Sequence, residues 1–242
     1  MHEEHIEIKT PEGVMPTFTC WPDVSDGPFP AIVFYMDAPG IREELFDMAR
    51  RKATEGYFVI LPDLFYRFGH IRFPFRNAKT KEIWRAAMAN MSNAEVMDDT
   101  RAMLDFMAAH PAVKDGPKAC IGYCMSGRLI TAAAGTFPDD FAAAASLYGV
   151  GIVTSQDDSA HFHIKDIKAE MYYCFAETDS TVPAYVIPTL QAELDTHGTQ
   201  YTLEVMPGTE HGFCFPERDV YHHEAAEKVF AHFSEMCRRT LG

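Results

Sequence analysis

The feature that most constrains the fold is the stretch from Lys118 to Arg128, which reads Lys-Ala-Cys-Ile-Gly-Tyr-Cys-Met-Ser-Gly-Arg. Its first half is a short apolar run typical of a buried parallel strand, and after a sharp turn an Ala- and Leu-rich segment predicts a helix. Cys124 stands at the centre of the turn, with Gly122 and Ser126 on either side. Small flanking residues leave room for a strained backbone where strand and helix close on each other. The pattern predicts a nucleophile elbow at Cys124; the alternative is a buried structural cysteine.

Short apolar segments alternate with segments typical of helices along the chain, which predicts an α/β fold. We expect a mostly parallel central sheet of about eight strands with helices on both faces, whose first two strands form an antiparallel edge. No repeat or composition shift marks a boundary, so we expect a single domain over residues 1–242. The predicted strands are 4–9, 14–20, 31–36, 57–61, the elbow strand, 142–147, 171–176 and 201–206, and the predicted helices are 42–54, 93–110, 128–137, 183–197 and 221–240.

Residues 64–91 lack a regular pattern and combine arginines with many aromatic residues, including Phe65, Phe75 and Trp84. Loops that leave the ends of strands often carry function, so this segment is a candidate wall or lid of a pocket. The alternative is an excursion that packs on the edge of the sheet. A helix begins after it, and Ser92 is the predicted N-cap of that helix.

The charge of the chain argues against a nucleic-acid partner. There are 35 acidic and 21 basic residues, a formal net charge of −14, whereas phosphate binding requires a basic face. No apolar run approaches the ~18 residues of a membrane span, and the polar start of the chain does not resemble a secretion signal. The six cysteines are scattered without a CxxC pattern, which favours free thiols in a reducing compartment. We therefore expect a cytoplasmic monomer or small homo-oligomer that acts on a small molecule.

Two further residues follow late strands, where an enzyme with a nucleophile elbow needs them. In α/β-hydrolases the chain order is nucleophile, acid, histidine. Asp179 comes just after the predicted strand 171–176, and His211 comes just after 201–206. Because the carboxyl ends of parallel strands meet at one edge of a sheet, we expect both residues close to Cys124. Taken singly, Asp179 could be a turn or cap residue and His211 an ordinary loop histidine, but the order of all three favours a triad.

The three residue types fit nucleophilic catalysis on a carbonyl group. His211 would take the proton of the Cys124 thiol, and Asp179 would fix the imidazole tautomer and stabilise its charged form. The carbonyl oxygen becomes negative on attack and needs hydrogen-bond donors. We expect the backbone N–H groups of Met125, in the elbow, and of Ala38, in the loop after an early strand, to form this oxyanion hole.

The remaining histidines and cysteines carry weaker signals. The pairs His161 and His163, and His222 and His223, suggest a metal site, but no cysteine or carboxylate stands at zinc-like spacing, so we expect no metal. Cys214 lies close to the predicted catalytic histidine in sequence, but no elbow surrounds it. The cysteines within predicted strands are most simply explained as core residues.

At three motifs the chain resembles the dienelactone hydrolase family, also called carboxymethylenebutenolidases. The motifs are Gly-Tyr-Cys-Met-Ser-Gly (122–127), Glu-Thr-Asp-Ser-Thr-Val-Pro (177–183) and Gly-Thr-Glu-His-Gly-Phe (208–213), and the similarity spans nearly the whole chain. The resemblance implies a cofactor-free hydrolase that opens the lactone ring of 4-carboxymethylenebut-2-en-4-olide to maleylacetate in bacterial breakdown of aromatic compounds. The cysteine is the specific part of the match, because most α/β-hydrolases use serine.

The resemblance also implies roles for three other residues. Asp37 matches a family glutamate that interacts with the nucleophilic thiol, where a carboxylate disfavours a free thiolate by like-charge repulsion. The alternative for Asp37 is a residue that caps the following loop. Arg67 matches an arginine that binds the substrate carboxylate, and Tyr148 matches a tyrosine of the substrate pocket.

Two positions depart from the family pattern. Ser126 stands where the elbow usually has glycine, and Phe215 stands where a second carboxylate-binding arginine is found. The nearest arginine downstream is Arg218. The loss of one arginine removes a charge-assisted contact and makes the substrate pocket, which Phe215 is expected to line, more apolar.

Three functions remain open at this stage. The favoured one is a cysteine hydrolase that opens small carboxylated lactones or enol esters through an acyl-enzyme. A second is a broader carboxylester or thioester hydrolase, which the phenylalanine at 215 favours. A third is a non-catalytic small-molecule binding protein on the same fold, against which the complete triad argues.

Overall fold

The computed structural model describes residues 1–24, 27–73 and 76–242 of the chain. It contains two compact units, Met1–Gly116 and Pro117–Gly242. Within the described residues, each unit has four strands and three α-helices. The single domain predicted for the whole chain stays a prediction.

The strands of the first unit are β1 (His2–Thr10), β2 (Gly13–Trp21), β3 (Ala31–Tyr35) and β4 (Phe58–Pro62). β1 pairs antiparallel with β2, β2 pairs antiparallel with β4, and β3 lies parallel to β4, so the order is β1-β2-β4-β3. β3 and β4 are buried along their whole length, as continuous apolar strands of a parallel pair are when both faces are covered. The predicted antiparallel edge is confirmed in β1 and β2.

The helices of the first unit are α1 (Glu43–Ala53), α2 (Ala78–Ala89) and α3 (Asn93–Ala109). The predicted N-cap of α3 is confirmed. The Ser92 hydroxyl accepts the N–H of Glu95 at 3.2 Å, and the Glu95 carboxylate accepts the N–H of Ser92 at 2.7 Å. This reciprocal capping box satisfies two backbone donors at the start of the helix.

The segment 64–91 is more regular than the sequence predicts, because it contains α2 and a short 3₁₀ turn at Tyr66–Phe68. The helix lacks the apolar periodicity of a packed helix, since Ala87 is its buried residue, and pattern reasoning therefore misses it. His70 and Arg72 of the segment line a pocket of about 260 Å³ within the first unit. Phe75, one of the aromatic residues predicted for a wall or lid, lies outside the described residues, and that role stays a prediction.

The strands of the second unit are β5 (Lys118–Tyr123), β6 (Phe141–Leu147), β7 (Glu170–Thr178) and β8 (Tyr201–Glu210). Each pairs in parallel with the next, in the order β5-β6-β7-β8. Their carboxyl ends therefore lie along one edge. The loops that leave this edge begin after Tyr123, Leu147, Thr178 and Glu210.

The helices of the second unit are α4 (Gly127–Thr136), α5 (Val186–His197) and α6 (His223–Leu241). α5 begins three residues later than predicted. The side chain of Asp179 accepts a hydrogen bond from the N–H of Thr181 at 2.9 Å. This bond closes a turn before the helix starts.

A second correction concerns the region 152–168, which lies outside all of the strands and helices predicted from the sequence. It contains a 3₁₀ segment at Ala160–Asp166. Ala160 and Ile164 are buried there, and the backbone of His163 packs so closely on α4 that a Cβ on Gly135 would lie 2.2 Å from its carbonyl oxygen. A short segment of this kind has too few residues for a recognisable helical period.

Eight strands, mostly parallel and interleaved with helices, confirm the predicted α/β class. Among the residues that the structure describes, no helix has the length and apolar character needed to cross a membrane.

The start of α4 and the loop after β6 also approach each other closely. A Cβ added to Gly127 would lie 2.2 Å from the Cα of Gly149 and 2.7 Å from the hydroxyl oxygen of Ser146. Distances this short cannot be accommodated without moving the backbone. Glycine at 127 therefore sets how closely the helix can approach the sheet behind the elbow.

We expect Gly127→Ala to lower the free energy of unfolding by about 2–3 kcal/mol, because overpacking against backbone cannot be relieved by a rotamer change. Gly198→Ala is the matched control. Gly198 follows α5 in the left-handed region (φ 65°), and no atom of the described residues lies within 4 Å of its Cβ position, so the cost there is the conformational one of about 1 kcal/mol. Urea unfolding of both variants measures the difference; equal losses would contradict the steric explanation.

Candidate active site

Cys124 lies at a strained turn between β5 and α4. β5 ends at Tyr123, a 3₁₀ turn spans Cys124–Ser126, and α4 starts directly afterwards. The φ of Cys124 is 56°, in the left-handed region that side chains rarely adopt, and Cys124 is partly exposed whereas the other five cysteines are buried. Strained backbone of this kind is concentrated at functional sites.

The neighbours of Cys124 explain how the turn is accommodated. A Cβ on Gly122 would lie 2.9 Å from both the Cβ of Ser126 and a side-chain carbon of Ile130, so only glycine fits there. Ser126 has ordinary dihedral angles (φ −79°, ψ −7°), and a serine is therefore tolerated where the family pattern has glycine. The carbonyl of Cys124 accepts the N–H of Val150 at 2.9 Å, which ties the turn to the loop after β6.

Asp179 and His211 are joined by a short hydrogen bond. The distance from His211 Nδ1 to Asp179 Oδ2 is 2.6 Å, and the side chain of Asp179 is 3% exposed. The other carboxylate oxygen accepts the N–H of Thr181 at 2.9 Å and its hydroxyl at 2.5 Å. The threonine hydroxyl also lies 3.2 Å from His211 Nδ1. The carboxylate is thus held from both sides and aimed at the imidazole.

The electrostatics of this pair favour the charged imidazole. Burial alone would lower the pKa of His211, but hydrogen bonds with Asp179 and Cys124, and the charges of the same two groups, outweigh burial and raise the pKa from 6.5 to about 9. Burial would raise the pKa of Asp179, but its hydrogen bond to His211 and the imidazolium charge hold that pKa below its usual value. The hydrogen bonds connect Asp179 to His211 and His211 to Cys124, which brings the three residues predicted from sequence together.

The raised pKa of His211 makes the stability of the folded protein depend on pH. A folded-state pKa above the unfolded value means that the charged imidazole stabilises the folded protein. This contribution is fully present below about pH 6.5 and is lost as the pH rises through about 9.

Tyr148, predicted as a pocket residue, lies directly against the histidine. Its ring meets the His211 ring edge-on with centroids 5.1 Å apart, and it is fully buried. Its φ of 39° places a second non-glycine residue of this edge in the left-handed region. Burial raises the pKa of the nearby Cys214 thiol far above the ordinary value. Cys214 is therefore kept as a neutral thiol.

Phe215 stands where the family pattern has a second carboxylate-binding arginine, and Arg218 packs against it. Phe215 is fully buried and packs against the ring of Tyr123 at 5.2 Å. The guanidinium carbon of Arg218 lies 4.7 Å from the centre of the Phe215 ring. The same guanidinium packs on Gly212, where a Cβ would lie 2.0 Å from Arg218 Nη1. Arg218 thus lies beside the residue that follows His211.

Met125 is the first residue after Cys124 in the 3₁₀ turn, and its side chain is fully buried. The first N–H groups of a helical turn have no acceptor within the helix, and they form a natural site for negative charge. The backbone geometry is therefore compatible with the predicted donor role of Met125.

The remaining predicted site residues, Asp37, Ala38 and Arg67, belong to the first unit. Asp37 and Ala38 are buried directly after β3. The carboxylate of Asp37 accepts hydrogen bonds from Arg42 at 2.5 and 3.2 Å. Their predicted roles, as thiol-modulating carboxylate and oxyanion donor, stay predictions.

Arg67 is held by acidic groups of its own unit. Its guanidinium donates to both oxygens of Asp99, at 2.6 and 3.0 Å, to the carboxylate of Glu12 and to the backbone carbonyl of Glu95 at 3.2 Å. The Arg67 side chain is 9% exposed and that of Asp99 is fully buried. A substrate carboxylate at Arg67 would compete with this bidentate pair.

Two residues near the site were missed from sequence. Thr181 contacts both Asp179 and His211, and the carboxylate of Glu177 accepts the N–H of Gly208 at 2.9 Å, linking the ends of β7 and β8. Both lie in the second motif. An Asp-x-Thr spacing is a signal for a side-chain turn, and it could have identified Thr181.

The histidines considered for a metal site make local contacts instead. His161 bonds to Ser159 at 2.7 Å, His222 caps α6 by accepting the N–H of Ala225 at 3.2 Å, and His223 bonds to Tyr221 at 3.0 Å. In the part of the chain that the structure describes, no group of three or more metal-ligating side chains comes together.

The fold is shared with solved structures over nearly the whole chain. A provisionally named dienelactone hydrolase of Klebsiella pneumoniae aligns with a TM-score of 0.87 at 22% identity, covering 97% of this chain and 98% of that chain. A dienelactone hydrolase of Anabaena variabilis covers all of this chain and 99% of its own length with a TM-score of 0.68 at 15% identity. These similarities identify an α/β-hydrolase fold and confirm the predicted architecture.

The family follows from the sequence itself. Residues 15–241 match the model of the dienelactone hydrolase family, and the chain therefore belongs to this family. Proteins provisionally named carboxymethylenebutenolidase from Synechocystis and Escherichia coli are 24% identical over 221 residues and 26% identical over 234 residues. These matches cover 90% and 94% of this chain, and 89% and 83% of the relatives. The predicted resemblance and the prediction of a carboxylic ester hydrolase are confirmed; substrate and residue roles stay predictions.

We expect the titration of His211, followed by NMR of its ring, to give a pKa near 9 in the wild type and a value at least one unit lower in Asp179→Asn. The variant loses the charged hydrogen bond that raises this pKa. His211→Gln identifies the His211 signal. Glu193→Gln is the control, because it removes a carboxylate 3.7 Å from the exposed His197, and a surface pair of this kind has little effect on the pKa of its histidine. An unchanged midpoint in Asp179→Asn would contradict the assigned cause.

Proposed function

We propose that this protein is a cysteine hydrolase of small carboxylic esters and lactones, with Cys124 as nucleophile, His211 as acid and base and Asp179 as the residue that orients His211. The observation that carries the proposal is the hydrogen-bonded series from Asp179 through His211 to Cys124, ending at a cysteine in strained backbone. A structural cysteine has no need of a positive φ, partial exposure and a charged imidazole partner.

In the first half of the reaction, the proton of the Cys124 thiol moves to His211, and the thiolate sulfur attacks the carbonyl carbon. The C–S bond forms while the carbonyl π electrons move to oxygen. The backbone N–H of Met125 and, from sequence, that of Ala38 would stabilise this oxyanion. As the intermediate collapses, the bond to the leaving oxygen breaks and His211 returns its proton to that oxygen. The products are a thioester on Cys124 and an alcohol.

In the second half, water attacks the thioester while His211 accepts a proton from it. The tetrahedral intermediate expels the sulfur, and the proton of His211 neutralises the thiolate as the acid departs. Atoms and charges balance without a cofactor. For a lactone substrate, the leaving oxygen stays attached to the acyl group, so the single product is a ring-opened acid.

The identity of the substrate divides the proposal into two candidates. The family and the names of the relatives favour a dienelactone with a free carboxylate. Two features of this chain favour neutral esters instead. Arg67 is already bound to Asp99 and Glu12, and a fully buried phenylalanine occupies the position of the second arginine.

We expect Cys124→Ala to lower the hydrolysis rate by at least 10⁴-fold, because the nucleophile is removed while the fold is kept. Cys214→Ala is the matched control, since this buried thiol lies near the histidine yet is held neutral. Loss of the dienelactone ultraviolet band and release of p-nitrophenol from p-nitrophenyl acetate are the two readouts. Equal activity of wild type and Cys124→Ala would contradict the nucleophile. Turnover of the acetate alone would favour neutral esters, and preference for the lactone would favour the carboxylated substrate.

We expect Thr181→Val to lower kcat about tenfold with little change in KM, because the Asp179 carboxylate loses a hydrogen bond that holds it in line with His211. Thr181→Ser keeps the hydroxyl and should restore most of kcat. If Thr181 had only a structural role, both variants would change the melting temperature, and kcat would not differ between Thr181→Val and Thr181→Ser. A rise in KM with unchanged kcat would contradict the positioning role.

A further inference from the structure

A pocket of about 190 Å³ lies next to the proposed catalytic residues, within the second unit. One wall comes from the 149–154 loop after β6, and the other comes from the 181–186 segment that precedes and begins α5. Neither the family match nor the names of the relatives gives this pocket a role.

Both walls of the pocket contact the catalytic series directly. Val150 lines the pocket, and its N–H donates to the carbonyl of Cys124 at 2.9 Å. Thr181 lines the opposite wall, and its hydroxyl donates to Asp179 and lies 3.2 Å from the imidazole nitrogen of His211. A group bound in the pocket would therefore contact residues that are themselves in contact with the backbone of Cys124 and the ring of His211.

The chemistry of the lining is neutral and mostly apolar. Every lining residue is uncharged, and valines with a proline and glycines make up most of the wall. The polar groups among them are the hydroxyls of Thr154, Thr181 and Tyr185. A carboxylate placed there would lose water without gaining a cationic partner from the lining, which is unfavourable. The lining therefore favours an apolar group without charge.

Size and surface agree with this chemistry. A cavity of about 150 Å³ lined by apolar side chains binds benzene, so a pocket of about 190 Å³ holds a group of roughly six carbons. Tyr185 lines the pocket and is 55% exposed. An exposed aromatic side chain at a cavity is typical of a binding site.

We propose that this pocket binds an uncharged, apolar substituent of the ester substrate, of up to about six carbons. The inference rests on the proposed ester hydrolysis and names the class of substrate: neutral esters with a short aliphatic or aryl group. The substituent belongs either to the acyl part or to the leaving alcohol, and the chemistry of recognition is the same for both.

The experiment compares p-nitrophenyl acetate, butyrate and hexanoate with wild type and Val182→Phe. Val182 lines the pocket and is no part of the proposed catalytic series, and a phenylalanine there fills the space. If the acyl chain occupies the pocket, wild-type kcat/KM rises about 16-fold from acetate to butyrate, since each of the two added methylenes contributes about fourfold. Val182→Phe abolishes that rise, so butyrate and acetate are hydrolysed with similar kcat/KM in this variant. Val205→Phe, at a 43% exposed valine on β8, is the matched control and keeps the wild-type preference.

A second arm uses acetate esters of methanol, butanol and benzyl alcohol. If the leaving group occupies the pocket, the same rise and its loss in Val182→Phe appear in this series and not in the acyl series. Val182→Ala enlarges the pocket and moves the optimum to longer groups, which covers the outcome that Val182→Phe does not fold. A chain-length profile that is the same in wild type and both Val182 variants, in both series, overturns the proposal.

Direct binding separates failure of the pocket from failure of the proposed function. Fluorobenzene is titrated into each protein and followed by the line width of its ¹⁹F signal. Broadening with wild type and Val205→Phe but not with Val182→Phe supports the pocket even if no ester is hydrolysed, in which case the ester chemistry alone fails. Hydrolysis of acetate together with equal broadening by wild type and Val182→Phe overturns the pocket and leaves the ester chemistry standing.

Discussion

The second unit depends on one constraint, the close passage of the chain from β5 through Cys124 into α4. The cysteine adopts a φ of 56°, which costs free energy, and the surrounding structure has to hold it there. Gly122 and Gly127 remove the two side chains that would block the turn. The N–H of Val150 ties the carbonyl of Cys124 to the next loop. Each of these features serves the position of one sulfur atom at the edge of the sheet.

Around that atom, the polar groups are few and each is held by others. Asp179 is buried with three hydrogen bonds to its carboxylate, from His211 and from the backbone and hydroxyl of Thr181. This arrangement stabilises an imidazolium, the state that a thiolate needs beside it. Tyr148 lies edge-on against the His211 ring, and burial keeps the nearby thiol of Cys214 protonated. The thiol of Cys124 is partly exposed, whereas that of Cys214 is buried.

Two residues to which the family resemblance gives a role in substrate binding, Arg67 and Phe215, make other contacts in the structure. Arg67 is engaged by carboxylates within its own unit, Phe215 is a packed core residue, and the nearest defined pocket is lined by uncharged groups. These three observations concern different parts of the chain and point in the same direction. The reaction machinery of a family and its substrate preference are carried by different residues, so one can be kept while the other changes.

The sequence by itself determined the alternation of strands and helices, the elbow at Cys124 and the order in which Asp179 and His211 follow late strands. These are local patterns, since an apolar period, a small-residue turn and a residue at the end of a strand can all be recognised within a few positions. Sequence reasoning missed α2, because a helix with one buried residue has no apolar stripe, and it placed the start of α5 too early, because an aspartate side chain closes a turn there. Only the tertiary structure decided that Thr181 bridges Asp179 and His211, that Arg67 is already paired, and that two loops line a neutral pocket. These properties depend on distances between segments far apart in the chain, which no local pattern encodes.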